Sequence, residues 1–171
     1  MADQAVTHEL ELEIEGECQL TRTVIEACAH AALSACDVGV GVVAFGVQCV
    51  SEAQIAELNL EHRQVGGATD VLSFPIDGVE ELQPDVPRQL GDVVVCPAYV
   101  AGQLAQGDVM HEADRDLEAA LRRCIVHGLL HLLGEDHEGG AADAARMFAL
   151  EQQVLDHVAA AGAGAGAGGA A

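Results

Sequence analysis

The sequence contains no lysine, and all seven of its basic residues are arginines. The 28 acidic residues outnumber them and give a formal net charge of −21. A protein that binds nucleic acid normally presents a basic surface to the phosphates, so this composition argues against such a partner. A solvated acidic surface, as in a salt-adapted proteome, is the simplest explanation. If RNA is bound, we expect weak, salt-sensitive binding at a local positive cleft made by a metal and a few arginines, or binding assisted by a partner.

Large aromatic side chains and long apolar runs are also scarce. Trp is absent, and the chain has one Tyr and three Phe, although 50% of its residues are hydrophobic. The core of this 171-residue chain should therefore be aliphatic, and its length fits one domain. No uninterrupted apolar stretch approaches about 20 residues, so we expect no membrane span. Residues 1–9 lack a positive residue followed by an apolar run, so we expect no signal peptide and a cytoplasmic location.

The six cysteines form no C-x-x-C pair, and most lie in apolar runs. We therefore expect reduced thiols, most of them in the core, rather than a disulfide framework. The six are Cys18, Cys28, Cys36, Cys49, Cys96 and Cys124.

Apolar periodicity and helix-end signals predict an α+β protein. Thr21 can cap the first helix, Ser51 with Gln54 forms a capping box, and Pro97 suits the first position of a helix. The predicted strands are 8–15, 40–50, 69–74 and 91–96, and the predicted helices are 22–35, 52–61, 97–107, 114–133 and 142–159.

The regions between and after these elements also carry signals. Residues 76–89, with Gly, Pro and several acids, are expected to form an exposed loop. Residues 160–171 alternate Ala and Gly and are expected to be a disordered tail. We therefore predict a single domain over residues 1–159, with a small mixed sheet of about four strands and about five helices.

Three histidines lie close together in the stretch HGLLHLLGEDH, residues 127–137. The spacing of His127 and His131 puts both on one face of a helix. Gly134 offers a left-handed stop, after which the chain can bring His137 to the same point. Three neutral imidazoles suit one zinc ion per chain with a fourth position open, and no cysteine in the stretch completes a closed structural site. We predict a catalytic zinc site at the end of the long helix.

The spacing H-x3-H-x2-G-x2-H is also that of the metzincin peptidases. In those enzymes a Glu follows the first histidine and acts as the general base. Gly128 occupies that position here. We therefore expect the same metal frame with a different chemistry.

The stretch resembles the signature of the YbeY family of bacterial metal-dependent endoribonucleases, H-G-x-L-H-L-x-G-[Tyr]-D-H. Glu135 stands where the family usually has Tyr, which leaves the three ligands untouched. Two further blocks match in order, and the resemblance covers about residues 10–158. The blocks are Leu58 and Asn59 with Arg63 ahead of the stretch TDVLSFP at 69–75, and LGDVV at 90–94.

The resemblance implies a zinc-dependent endoribonuclease that is specific for single-stranded RNA. It implies a role in the 3′-end maturation of 16S rRNA in the small subunit and in ribosome quality control. The expected partners are a ribosomal RNA precursor and the small subunit or its assembly proteins, with no DNA and no membrane. The implied architecture places the metal at the end of a cleft beside the sheet.

Arg63 is the predicted phosphate-binding residue, because a guanidinium can contact two phosphate oxygens at once. The resemblance places Arg63 near the metal and implies that it is catalytic; we assign His127 a catalytic role as well. Ser73 is a predicted substrate contact. The general base is left open: Asp136 can take that role or orient an imidazole, and a loop or capping role fits it equally well.

Other polar residues are expected to play ordinary roles. Arg122 and Arg123 should lie on the solvent side of the long helix. The histidines without partners at metal spacing are His8, His30, His62, His111 and His157.

Two other functions compete with the ribonuclease. One is a metallohydrolase of a peptide or a small ester or amide, which the metal frame permits but Gly128 disfavours. The other is a non-catalytic ribosome-assembly factor with a structural metal, which an open fourth ligand position disfavours.

Overall fold

The computed structural model describes residues 8–78, 86–108 and 114–166, with side chains through residue 162. Within these ranges four strands and five helices follow one another in the predicted order. The strands are β1 (Glu9–Glu15), β2 (Val42–Cys49), β3 (Val71–Pro75) and β4 (Arg88–Val95). The helices are α1 (Arg22–Ala35), α2 (Glu52–Arg63), α3 (Pro97–Gln106), α4 (Leu117–Leu132) and α5 (Ala141–Gly166).

The strands form one mixed sheet in the order β1-β2-β4-β3. Strands β1, β2 and β4 are parallel, and β3 pairs antiparallel with β4 at one edge. The predicted α+β class with a small mixed sheet is therefore confirmed. None of the helices in the described ranges is both long enough and apolar enough to cross a membrane.

Local signals act at the helix ends as predicted. The Thr21 hydroxyl accepts a hydrogen bond from the Val24 amide at 3.4 Å. Both arms of the capping box between Ser51 and Gln54 are present. Pro97 opens α3, which ends where Gly107 adopts a φ of 74°.

Three boundaries differ from the prediction by three residues or more. Strand β4 begins at Arg88, inside the predicted loop 76–89, because the β3–β4 pairing continues through the Asp77 N–H bond to the Gln89 carbonyl at 2.9 Å. Helix α4 begins at Leu117, where the Asp116 carboxylate accepts from the Ala119 amide at 2.8 Å.

Helix α5 continues through Gly166, past the expected end at residue 159. Alanine has the highest helix propensity, which favours this extension despite the glycines. The expectation of disorder is thus corrected for residues 160–166. The rest of the predicted tail, residues 167–171, and residues 79–85 of the predicted loop lie outside the described residues.

The structure also corrects the expectation that all six cysteines are reduced. Cys18 and Cys49 form a disulfide. They are 31 residues apart in sequence, but β1 and β2 are parallel neighbours with Glu15 opposite Gln48, so Cys49 at the end of β2 lies near Cys18, which follows β1. The other four cysteines are free, and three of them are buried.

Apolar side chains cover one face of the sheet and part of the other. Helices α1 and α4 cover one face, on which Val93 is fully buried, and α5 packs against both of these helices. On the opposite face, Ile55 of α2 packs with Leu72 and Val94. This alternation along β4 places α4 and α2 on opposite faces of the same strand.

Helix α4 lies unusually close to β4 at Gly128. A Cβ atom built on Gly128 would lie 2.5 Å from the Cγ1 atom of Val93, well inside van der Waals contact. The absence of a side chain therefore permits the approach. It also means that a glutamate, the metzincin base at this position, does not fit against the sheet.

Replacing Gly128 by Ala should lower the free energy of unfolding by about 1–3 kcal/mol, because the added methyl overpacks a buried contact. Urea unfolding measures the change. The matched control is Gly102→Ala inside α3, where a Cβ would meet nothing within 4 Å. The control should keep or raise stability by up to about 1 kcal/mol, since Ala favours helix. Equal stability of the two variants would contradict the close approach.

Candidate metal centre

The C-terminal end of α4 brings the three histidines together. His127 and His131 lie one turn apart near the end of the helix. Gly134 has a φ of 90°, and the next amide, that of Glu135, donates to the Leu130 carbonyl at 3.0 Å. This left-handed stop reverses the chain, as predicted, and returns His137 toward the helix.

The imidazoles converge on one point. The Nε2 atoms of His127 and His131 are 3.2 Å apart, and one ligand atom from each of the three histidines lies within 4.8 Å of the others. Tetrahedral zinc with Zn–N bonds of about 2.0–2.1 Å separates two ligand nitrogens by roughly 3.3 Å. The three donors match one metal ion in chemistry, and the spacing of the His127 and His131 nitrogens matches that of two zinc ligands.

The protonation state of His131 also suits metal binding. Burial lowers the pKa of His131, and the neighbouring His127 and His137 lower it further. A lowered pKa favours the neutral imidazole, which is the form that donates a lone pair to a metal.

His127 has a second partner that the sequence reading missed. Its Nδ1 atom lies 3.0 Å from the Oε2 atom of Glu151 on α5. A carboxylate that accepts from Nδ1–H leaves the lone pair on Nε2, which faces the other histidines. Burial raises the pKa of Glu151, but hydrogen bonds from His127 and Arg123 outweigh that effect and lower the pKa overall.

A sequence signal for Glu151 does exist. Met147, Val154 and Val158 form the buried stripe of α5, and Glu151 lies in that stripe between Met147 and Val154 with an exposed fraction of 3%. An acid at a core position of a helix requires a buried partner.

The expected solvent exposure of Arg123 is wrong. Its side chain is 5% exposed, and its Nη1 atom donates to Glu151 at 2.7 Å. Its Nε atom donates to the carboxylate of Asp114 at 2.8 Å. The preceding residue, Arg122, is partly exposed and pairs with Glu118 on the same helix. Arg123 faces inward because Glu151 and Asp114 neutralise its charge there.

Asp136 stabilises the loop between the second and third histidines. Its Oδ1 atom accepts the Glu138 amide at 2.9 Å, and that bond lowers the pKa of the carboxyl. The adjacent Glu135, where the family usually has Tyr, forms an ion pair with Arg146 at 2.7 Å. The role of Asp136 as a base or imidazole partner stays a prediction.

The predicted substrate residues line the same cleft as the histidines. This cleft measures about 500 Å³ and includes Arg63, Ser73, His127, His131 and His137 in its lining. Its walls come from the end of α2, the whole of β3 and the loop that follows α4. The structure thus brings together residues that are up to 74 positions apart (63 to 137) in the sequence.

Arg63 is the last residue of α2, and its side chain lines the cleft. Buried Asn59 donates to the Gly67 carbonyl at 3.0 Å and ties down the turn that follows the helix. The Nη2 atom of Arg63 lies 3.5 Å from the Oε1 atom of Glu138 across the cleft, and both side chains are more than half exposed. The guanidinium is therefore free to exchange this partner for another anion.

Ser73 and His62 also form part of the cleft wall. Ser73 stands opposite Val93 in the β3–β4 ladder, so it shares the face on which α4 lies. His62, expected to be ordinary, also lines the cleft, with its ring centroid 4.8 Å from that of Phe74 in an edge-to-face contact.

The fold and the site together define an α+β domain with a three-histidine centre able to hold a metal ion beside an open cleft. The sequence profile described as Endoribonuclease YbeY matches residues 7–159, and the chain belongs to this family.

Individual relatives agree with the family assignment. The Endoribonuclease YbeY of Chloroflexus aggregans is 35% identical over 153 residues, which cover 88% of this chain and 95% of that protein. The Endoribonuclease YbeY of Acinetobacter baylyi is 42% identical over 111 residues, 64% of this chain and 66% of that protein. The solution structure of TM1509 from Thermotoga maritima matches with a TM-score of 0.52 and 26% identity, covering 86% of this chain and 88% of that one.

Replacing His131 by Ala should abolish tight zinc binding, because only two of the three imidazoles remain. Elemental analysis after dialysis against zinc measures the metal content, with one ion per chain expected for the unaltered protein. His30→Ala is the control, since His30 is exposed on α1. Full zinc content in the His131 variant would rule out the three-histidine centre.

Proposed function

We propose that this protein is a zinc-dependent endoribonuclease that cleaves single-stranded RNA. The observation that carries the proposal is the cleft that contains Arg63 together with His127, His131 and His137. The names of the relatives support the reaction class. The donor set of three imidazoles supports the metal.

Arg63 binds the scissile phosphate in this proposal. Its guanidinium offers a planar array of donors that matches two phosphate oxygens, and it is half-exposed in the cleft wall. A phosphate that displaces Glu138 from Arg63 would lie in the same cleft as the histidines. Arg63 thereby both positions the substrate and neutralises part of its charge.

The three histidines would hold the ion, and His127 also contacts the buried carboxylate of Glu151. A zinc ion bound there supplies Lewis-acid chemistry, which lowers the pKa of water and polarises a phosphoryl oxygen. Ser73 contributes a hydroxyl to the substrate wall of the cleft. Asp136 lies in the cleft lining, where it is proposed either to accept a proton or to orient an imidazole; its lowered pKa makes it a weak base and favours the second role.

We further propose that the protein acts in the cytoplasm, where it cleaves a precursor of 16S rRNA at its 3′ end and takes part in ribosome quality control. Single-stranded RNA suits an open cleft because its phosphates and unstacked bases are accessible. The strongly acidic surface favours a substrate presented by the small subunit or an assembly protein over free RNA captured by long-range attraction.

Peptide hydrolysis by a metzincin mechanism is disfavoured on a specific observation. Gly128 occupies the position of the metzincin base, and its backbone lies in close contact with Val93.

Incubating the zinc-loaded protein with single-stranded RNA and with casein separates the two activities. RNA cleavage that is lost in His131→Ala supports the ribonuclease. Casein digestion would indicate a peptidase instead. If both substrates stay intact while zinc is retained, the protein is a non-catalytic assembly factor instead.

Replacing Arg63 by Ala should leave the zinc content unchanged and lower kcat/KM for single-stranded RNA by about 100-fold or more, the typical effect of removing a charge-stabilising donor. Arg115→Ala removes the same charge from an exposed position before α4 and should have little effect. Comparable losses in both variants would mean that Arg63 acts only through net charge.

Replacing Glu138 by Gln should lower KM for single-stranded RNA by up to about fivefold, because the carboxylate that competes for Arg63 is gone and an exposed ion pair is worth about 0.2–1 kcal/mol. Glu57→Gln on the exposed side of α2 removes an equal charge elsewhere. A rise in KM for the Glu138 variant would show that Glu138 assists substrate binding instead.

A further inference from the structure

A chain of four side chains runs from the metal centre into the protein core. It begins at His127, passes to Glu151 at 3.0 Å and to Arg123 at 2.7 Å, and ends at Asp114 at 2.8 Å. The exposed fractions are 3% for Glu151, 5% for Arg123 and 6% for Asp114. The four groups come from α4, α5 and the segment just before α4, so the chain joins three parts of the fold.

The two oxygens of Glu151 have different partners. Oε1 accepts from Arg123, and Oε2 faces the Nδ1 atom of His127. The carboxylate therefore cannot rotate without losing one of these bonds. Arg123 is held in turn at its Nε atom, which lies within 3.0 Å of both carboxylate oxygens of Asp114.

Packing alone does not explain this arrangement. Burying three charges carries a large desolvation penalty, and apolar side chains of similar size commonly hold two helices together at least as well. The neighbouring positions of the α5 stripe are apolar, which shows that the interface accepts such residues. The feature that an apolar pair could not supply is the bond to His127.

We propose that Glu151 is the positioning residue of the metal centre, and that Arg123, anchored by Asp114, holds Glu151 in place. Glu151 sets the orientation of the His127 ring and keeps its proton on Nδ1, so that Nε2 presents a lone pair to the ion. The inference rests on the proposed metal site, but it can be tested without RNA.

The first test is the zinc affinity of Glu151→Gln. Arg123 demands an acceptor, so the amide oxygen of Gln would face Arg123 and its NH₂ group would face His127. A donor at that position favours the tautomer with the proton on Nε2, the ligand nitrogen. Competition with a chelator should show zinc affinity about 10- to 100-fold weaker than in the unaltered protein, the usual effect of removing such a partner.

The control variant makes the same charge change at a position away from the metal centre. Glu118→Gln on the exposed side of α4 breaks the 2.6 Å ion pair with Arg122. This variant should bind zinc with unaltered affinity. Equal zinc affinity in the Glu151 variant and the unaltered protein would overturn the proposal.

A second test needs no variant and stands even if Glu151→Gln fails to fold. In the metal-free protein above the pKa range of histidine, nitrogen NMR of the imidazoles should show His127 with its proton on Nδ1 and none on Nε2. A His127 ring protonated on Nε2 would contradict the positioning role. If the unaltered protein binds no zinc at all, the proposed function fails, while this measurement still decides the role of Glu151.

Discussion

The contact between Gly128 and Val93 sets the position of the whole site. Because Gly128 has no side chain, α4 lies against β4 at a distance that any other residue would increase. The histidine before Gly128 is thereby held at the edge of the sheet, near the β3 strand that carries Ser73. A shift of α4 away from the sheet would separate the metal ligands from the opposite wall of the cleft, where Arg63 lies. The geometry of the centre thus depends on close packing at Gly128, a residue with no side chain that directly follows the ligand His127.

Acidic residues in the described part of the chain lie in different environments, and the environment decides what each one does. On the outer face of β1 they are solvated and contribute only to the net charge. In the cleft, Glu138 faces Arg63 and competes for it. In the core, Glu151 and Asp114 enclose Arg123, so that an otherwise unfavourable buried cation becomes the anchor of the carboxylate that contacts His127. The composition, with its large excess of acids, therefore does not reveal that some of these acids have specific partners.

Much of the fold was predictable because its signals are local. The alternating Leu and Glu residues of β1, the capping box at Ser51 and the left-handed stop at Gly134 each depend on only a few neighbouring residues. The four-stranded mixed sheet and the convergence of three histidines follow from such signals taken together. The boundaries at Arg88 and Gly166 were not predictable in this way, since a strand that pairs with two neighbours and a helix rich in Ala extend past the apparent breaks.

The sequence by itself determined the metal-binding motif, because helix periodicity and one glycine place three imidazoles together without reference to the rest of the chain. Only the tertiary structure decided which residues support that motif. Glu151 lies 24 residues from His127, and Cys18 lies 31 residues from Cys49, so their pairing depends on how α5 packs on α4 and how β1 lies beside β2. Arg123 was misjudged for the same reason: a charged residue on a helix faces water unless a distant part of the chain supplies opposite charges, and periodicity carries no information about distant parts.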